Sequence, residues 1–146
     1  LMRDLVLYYA TIFLKTLFVF FSPINGIIIL VALSTILDTI FGLWRAKKLK
    51  EKITSKKVRF GLVPKLVSYV GAIMLVYASD FFIINELTLM VVDINFISSK
   101  IIALSLIGIE ITSIDESYKK VTGVSFLKKI TDIIVKGKDI KKNLKK

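Results

Sequence analysis

Six charged side chains stand inside the long apolar runs of this sequence, and their types and positions could do chemistry. The acids are Asp38, Asp80 and Glu110, and the bases are Lys15, Lys65 and Lys100. An ionised group in apolar surroundings costs so much free energy that it usually faces an opposite charge or a water-filled cavity. These residues therefore predict charge pairs within the chain, or a polar seam that lines a pore or a subunit interface.

A stripe of small residues surrounds one of the acids. Ser34, Asp38, Gly42 and Ala46 recur every four residues, which places them on one face of a helix that contains the apolar run 24–44 (α2 below; the four residues are the α2 stripe). Small side chains at this spacing allow a second helix to approach closely. The α2 stripe is therefore predicted to be an oligomer interface or to line a pore.

The two runs that hold Asp38 and Lys65 have the length of membrane spans. They comprise residues 24–44 and 61–84, which is 21 and 24 residues. At about 1.5 Å per residue, each reaches across the roughly 30 Å hydrocarbon core of a bilayer. Between them, residues 45–60 contain eight Lys or Arg and one acid, which is typical of a cytoplasmic loop.

Two further runs are shorter. Residues 97–114 predict another span. Residues 5–21 are interrupted by Lys15, and they predict either a short span or a helix lying in the membrane interface. Ser22-Pro23 is expected to end that run, because proline lacks an N–H and disfavours helix before it. In the run that begins at Gly61, Pro64 is expected in the first helical turn.

The charge distribution predicts the orientation. The connector 85–96 has two acids and no Lys or Arg, whereas the tail 115–146 has ten Lys and four acids. The positive-inside rule places 45–60 and the tail in the cytoplasm and 85–96 outside. In this orientation Asp38, Lys65 and Glu110 lie at similar depth near the inner side, and we expect them to form one cluster.

The basic residues at the inner side predict binding to the membrane surface, since anionic lipids attract them. They are Arg45, Lys47, Lys48, Lys56, Lys57, Arg59, Lys128 and Lys129. Within the tail, apolar residues recur at near-helical spacing and predict an amphipathic helix, with Ser125 as its N-cap and Gly123 as a break before it. These apolar residues are Phe126, Ile130, Ile133, Ile134, Ile140 and Leu144. The alternative is a solvated basic tail.

Composition agrees with a membrane protein and disfavours an enzyme. The 146 residues are 55% hydrophobic, yet the net charge is +11, and in a membrane protein these two properties occupy different regions. The chain has no Cys and no His, and it shows no phosphate-binding loop or nucleophile–base pair. We therefore expect an all-α integral membrane protein of three or four spans, without metal, cofactor, catalytic residue or nucleic-acid partner.

Several short motifs together resemble the phage holin family that includes the toxin-secretion and phage-lysis holins. The first is Asp38-x-x-x-Gly42-x-x-x-Ala46, followed by the basic segment Ser55-Lys56-Lys57-x-Arg59-x-Gly61-Leu62-x-x-Lys65. The second is Glu110-x-x-Ser113-x-x-Glu116, where Ser117 replaces the Asn that the family usually has next. The resemblance covers about 33–130.

The resemblance implies a function in the bacterial (host) cytoplasmic membrane. Such holins form homo-oligomers and open lesions that release an endolysin, and some relatives are associated with toxin export. Asp38, Gly42 and Glu110 would then belong to the assembly core. We expect Glu110 and Ser113 to lie at the same oligomer interface or pore lining as the α2 stripe. The alternative is a small membrane anchor or scaffold subunit that binds partners through its basic cytoplasmic surface.

Overall fold

The chain is an all-α membrane protein. The computed structural model describes residues 2–91 and 93–143, without the side chains of residues 57 and 137–143. The helices are α1 (Met2–Phe21), α2 (Asn25–Lys48), α3 (Ser55–Ser79), α4 (Asn85–Thr88), α5 (Ile97–Thr122) and α6 (Phe126–Asn143). A 3₁₀ turn (Ser22–Ile24) joins α1 to α2, and a π-helical turn (Asp80–Ile84) joins α3 to α4.

Three helical segments of the described chain are long and apolar enough to cross a membrane: Met2–Lys48, Val58–Thr88 and Ile97–Thr122. Helices α2, α3 and α5 pack together as a bundle. Its apolar core is small and consists of Ile24, Val31, Ile73, Tyr77 and Ala103. Most other apolar side chains are exposed, as expected of helices that contact lipid on their outer faces.

At the end of the bundle that carries the basic residues (the basic end), the helices continue beyond the predicted spans. Only residues 49–54 of the predicted loop 45–60 lie outside a helix. Lysine and arginine favour helix, so α2 extends to Lys48 and α3 already begins at Ser55, beyond the apolar runs. As a consequence, Pro64 lies inside α3 rather than in its first turn, and that prediction was wrong.

Aromatic rings gather at the opposite end of the bundle. The Phe20 ring lies 5.3 Å from Tyr77, 5.1 Å from Phe81 and 5.9 Å from Phe82, and Tyr77 lies 4.9 Å from Phe96. The Tyr77 hydroxyl donates to the Phe20 carbonyl oxygen over 2.9 Å. These contacts attach the end of α1 to α3 and to the start of α5.

The rest of α1 is exposed and packs against no other helix of the bundle. As predicted, α1 ends just before Pro23, but the 3₁₀ turn continues directly into α2. The resulting 47-residue segment is about 70 Å long if straight, which is more than twice the roughly 30 Å hydrocarbon core. That residues 5–21 form a short span or an interfacial helix stays a prediction.

Residues in the left-handed conformation mark both ends of α5. Phe96, before the helix, has φ 54°, and its N–H donates to Asn85 Oδ1 over 3.0 Å. Gly123, after the helix, has φ 78°, a conformation that costs glycine little because it has no Cβ. The predicted break at Gly123 is therefore confirmed, and α6 begins three residues later.

Candidate functional site

Three charged residues join the three helices of the bundle (the ion cluster: Asp38, Lys65 and Glu110). The Lys65 ammonium donates to Asp38 Oδ2 over 2.9 Å, and it lies 3.2 and 3.1 Å from the two carboxylate oxygens of Glu110. The Tyr69 hydroxyl donates to Glu110 Oε1 over 2.8 Å. One residue of each helix thus contributes a charge, and the prediction that these three meet is confirmed.

Exposure within the ion cluster increases from Glu110 to Lys65. The Glu110 side chain is fully buried, Asp38 is 13% exposed and Lys65 is 37% exposed. Taken with their formal charges, the three residues sum to −1. Glu110 avoids an unmatched buried charge because it has Lys65 and Tyr69 as partners. The cluster therefore joins the three helices of the bundle through charge-assisted hydrogen bonds.

The α2 stripe faces its own bundle in this structure. Ser34 is buried and its hydroxyl donates to the Val31 carbonyl oxygen, and Asp38 is bonded to Lys65. Gly42 and Ala46 line a cavity between α2, α3 and α5. The small side chains thus accommodate helices of the same chain. That the α2 stripe also contacts a second copy stays a prediction.

This cavity opens at the basic end and reaches the ion cluster (the basic-end cavity). Its volume is about 280 Å³, and Asp38, Lys65 and Ser113 lie on its wall. Its other walls come from the loop 49–54 and the first turns of α3. Ser113 thus lies beside Asp38, one turn along α5 from Glu110. Five of the six residues of the predicted interface or pore lining therefore belong to the ion cluster or line the cavity, and Ser34 lies one turn of α2 before Asp38.

Arg45 also lines the basic-end cavity, although it was predicted only to bind the membrane surface. Its Nη1 lies 3.4 Å from Ser117 Oγ and its Nη2 lies 3.7 Å from Glu51 Oε2. Its Nε is buried and has no partner among the described residues. Next to it, the Trp44 ring stacks on Tyr118 of α5 at 6.1 Å.

The other residues predicted to bind the membrane surface are exposed, apart from one that falls outside the described side chains. The exposed residues are Lys47, Lys48, Lys56, Arg59, Lys128 and Lys129. Lys56 Nζ lies 5.8 Å from the centre of the Phe60 ring. The side chain of Lys57 is outside the description, as are the Ile140 side chain and Leu144. The exposed residues occupy the basic end, where positive charge is concentrated.

Asp80 has a structural role that the sequence analysis missed. It is fully buried in the π-helical turn, and its Oδ2 accepts hydrogen bonds from the Ser99 N–H over 2.7 Å and the Ser99 hydroxyl over 2.6 Å. A carboxylate that accepts from N–H groups in the first turn of a helix stabilises its N-terminus. Asp80 therefore holds the start of α5 from a neighbouring element. Sequence reasoning had only a shared depth with Ser99 to suggest this.

Asp115 forms a second such connection, between α5 and α6, one residue beyond the predicted span 97–114. Its Oδ2 accepts from the Ser125 hydroxyl over 2.6 Å, and its Oδ1 accepts from the N–H groups of Phe126 and Leu127 over 2.8 and 3.2 Å. The Ser125 hydroxyl in turn accepts from the Lys128 N–H over 3.0 Å, which confirms Ser125 as an N-cap.

These bonds affect the ionisation of Asp115. Burial raises the pKa of its carboxyl, but hydrogen bonds from Ser125, Leu127 and Phe126 and the charge of Lys119 outweigh it and hold the pKa below its ordinary value. The joint therefore favours the carboxylate form.

Comparisons of the chain with protein-family models, with curated proteins and with solved structures find no match. The resemblance to the holins rests on the motifs alone and stays a prediction. What the geometry can do follows from the residues: the ion cluster matches charges between three helices, and the basic-end cavity makes it accessible from one side.

Proposed function

We propose that this protein is a holin-like membrane protein that assembles into homo-oligomers and forms lesions in a bacterial cytoplasmic membrane. One observation carries the proposal. Asp38, Lys65 and Glu110, which belong to separate motifs of the resemblance, contact one another inside a bundle of membrane-crossing helices. A shared cluster gives the spacing of these distant motifs a common physical reason. The lesion would release an endolysin or a secreted toxin.

The packing supports a lesion formed between copies. The basic-end cavity reaches only as far as the ion cluster, and beyond it the described bundle is filled by buried side chains such as Val31, Ile73 and Tyr77. A single copy therefore has a closed half and an open half. A passage across the membrane would require either several copies around a common space or a rearrangement of the bundle.

The proposed orientation places the basic end in the cytoplasm. Residues 49–54, the start of α3 and the C-terminal helix α6 would face inward, and the connector near α4 would face outward. The exposed lysines and arginines at the basic end support this arrangement, because positive charge is retained on the cytoplasmic side. The protein would then contact membrane lipids on all sides, and its functional partner would be an endolysin.

Controlled expression in a bacterium tests the function. We expect the membrane potential to collapse after a delay that shortens at higher expression, because a lesion needs many copies. A co-expressed endolysin should lyse the cells only after that collapse. Full accumulation of the protein in the membrane with an intact potential would contradict the proposal.

The second candidate function is a membrane anchor for a cytoplasmic partner. The exposed helix α6 favours it, since Ile130, Ile133 and Ile134 are exposed on a helix that a hydrogen-bonded joint attaches to the bundle. Stoichiometric recovery of one other protein from detergent extracts, together with an intact membrane potential, would favour the anchor over the lesion.

A further inference from the structure

Arg45 has poorly matched donors inside a cavity. A guanidinium bonded to a carboxylate or a phosphate normally has N–O distances of about 2.7–2.9 Å. The contacts of Arg45 to Ser117 and Glu51 are 3.4 and 3.7 Å, and its buried Nε has no partner among the described residues. A buried donor without an acceptor is costly, so this guanidinium suits a further anion.

The charged residues that line the cavity, and the depth of the cavity in the bundle, suit the binding of such an anion. Its charged lining consists of Arg45, Lys52 and Lys65 with Asp38 and Glu51. Lys65 is already bonded to Asp38 and Glu110, and Glu51, whose side chain is 40% exposed, lies 3.7 Å from Arg45. Arg45 and Lys52 are therefore the cations that remain for a ligand. Arg45 directly follows the predicted span 24–44, and Lys52 lies in the loop after α2, so both are expected near the depth of the lipid headgroups.

The cavity also has free space beside Arg45. Gly42, Ala46 and Gly61 lie on its walls, and a Cβ added at Gly42 or Gly61 would have no atom of a neighbouring element within 4 Å. A volume of about 280 Å³ accommodates a phosphate group together with water. The rest of the wall includes apolar residues such as Leu43 and Leu62, which suit the glycerol carbons of a phosphate ester.

We propose that the basic-end cavity is a binding site for the phosphate group of a phosphate ester, with the Arg45 guanidinium as its principal ligand and Lys52 at its rim. Guanidinium geometry matches a phosphate by two parallel N–H···O bonds, which distinguishes this site from general attraction to a charged surface. The ester is either a membrane phospholipid or a soluble metabolite. This site does not depend on lesion formation, so either proposal can fail without the other.

Native mass spectrometry of the full chain in a neutral detergent tests the site. Phosphatidylglycerol is titrated beside diacylglycerol, which has the same acyl chains but no phosphate, and glycerol 3-phosphate forms the soluble arm. We expect saturable binding of phosphatidylglycerol or of glycerol 3-phosphate, and the arm that binds identifies the source. Absence of saturable binding in both arms would overturn the proposal, as would equal binding of diacylglycerol.

Matched variants separate the site from surface charge. Arg45→Gln should weaken phosphate binding about tenfold or more, because it removes charge-assisted hydrogen bonds. Arg59→Gln removes the same charge from an exposed residue that does not line the cavity, and binding should stay within about twofold of the parent, as expected of an exposed charge. Equal losses in the two variants would show nonspecific attraction and overturn the site.

A third variant keeps every charge and tests the space. Gly61→Val adds a side chain to a residue of the cavity wall, at a position with open space around it, so it should weaken binding without altering Arg45. Circular dichroism identifies variants that fold. If Arg45→Gln does not fold, parent-like binding by folded Gly61→Val would still overturn the proposal.

Discussion

Lys65 connects the bundle more than any other single residue described above. Its ammonium group contacts a carboxylate of α2 and a carboxylate of α5, while its backbone belongs to α3. The three members of the ion cluster are therefore not equivalent. Loss of Asp38 leaves Lys65 with Glu110, whereas loss of Lys65 leaves two carboxylates without their cation.

Replacement of Lys65 should thus destabilise the protein most. We expect Lys65→Met to lower the free energy of unfolding by about 2–3 kcal/mol, below the roughly 3–5 for a fully buried pair because Lys65 is partly exposed. Asp38→Asn should cost less, since Glu110 still binds the lysine. Thermal unfolding in detergent compares the loss of stability in the two variants, with exposed Lys47→Met as the control. A larger effect of Asp38→Asn than of Lys65→Met would contradict this account.

The depth of these residues in the membrane was predictable, but the side of the helix that faces the bundle was not. Asp38, Lys65 and Glu110 could be expected to meet because a residue count along an apolar run locates each of them along the membrane normal. The rotation of each helix depends on packing, so the sequence alone could not show that Gly42 and Ala46 of the α2 stripe line a cavity of their own bundle. That the α2 stripe is an oligomer interface or lines a pore stays a prediction. Tyr69 was overlooked, although it follows Lys65 by four residues and therefore shares its helix face.

Acids from outside a helix determine where α5 begins and how α6 attaches to it. Asp80 accepts from the first turn of α5, and Asp115 of α5 accepts from the first turn of α6. Neither helix start depends on its own residues alone. Each connection can therefore be tested by one substitution that leaves the helix sequence around the bonds intact.

Removal of the Asp80 carboxylate should weaken the junction between α3 and α5. We expect Asp80→Ala to lower the free energy of unfolding by about 1–2 kcal/mol, as for other lost helix N-caps. Thermal unfolding in detergent measures the change. Asp93→Ala, which removes an exposed acid from the same connector region, serves as the control. A loss no larger than that of the control would rule out the capping role.

Removal of the Asp115 carboxylate should release the start of α6 without unfolding the bundle. Amide hydrogen exchange at Phe126 and Leu127 should become several-fold faster in Asp115→Ala, because their N–H groups lose their acceptor. Glu116→Ala removes a neighbouring exposed acid and should leave exchange unchanged.

The same bonds predict a pH dependence. The folded pKa of Asp115 is lowered, so its contribution to the joint is complete above the ordinary aspartate pKa and is lost as pH falls through the lowered value. If the Phe126 and Leu127 amides stayed protected from exchange at a pH below the lowered pKa of Asp115, the role of its carboxylate in holding α6 would be contradicted.

The helices themselves were predictable from apolar run lengths, but their ends at the basic side were not. Hydropathy reports where lipid begins, whereas a helix ends where its backbone changes direction, and the lysines around residues 47–57 permit helix on both sides of the short loop. Pro64 was misplaced for this reason.

Because the sequence has no cysteine, the orientation of the protein in the membrane can be tested directly. Single cysteines at Ser55 and Asp93 lie at opposite ends of the bundle, and both positions are exposed. On intact cells, an impermeant thiol reagent should label position 93 and leave position 55 unlabelled until the cells are permeabilised. The reverse pattern would overturn the proposed orientation.

Lys65 is synthesised after one of its two partners and before the other. Asp38 precedes it by 27 residues and Glu110 follows it by 45. Because a ribosome makes the chain from its N-terminus, Asp38 and Lys65 have both been synthesised before Glu110. Helices α2 and α3 can therefore enter the lipid as a hairpin whose two opposite charges already match. Helix α5 is synthesised last of the three bundle helices, and we expect Glu110 to join a pair that α2 and α3 can already form.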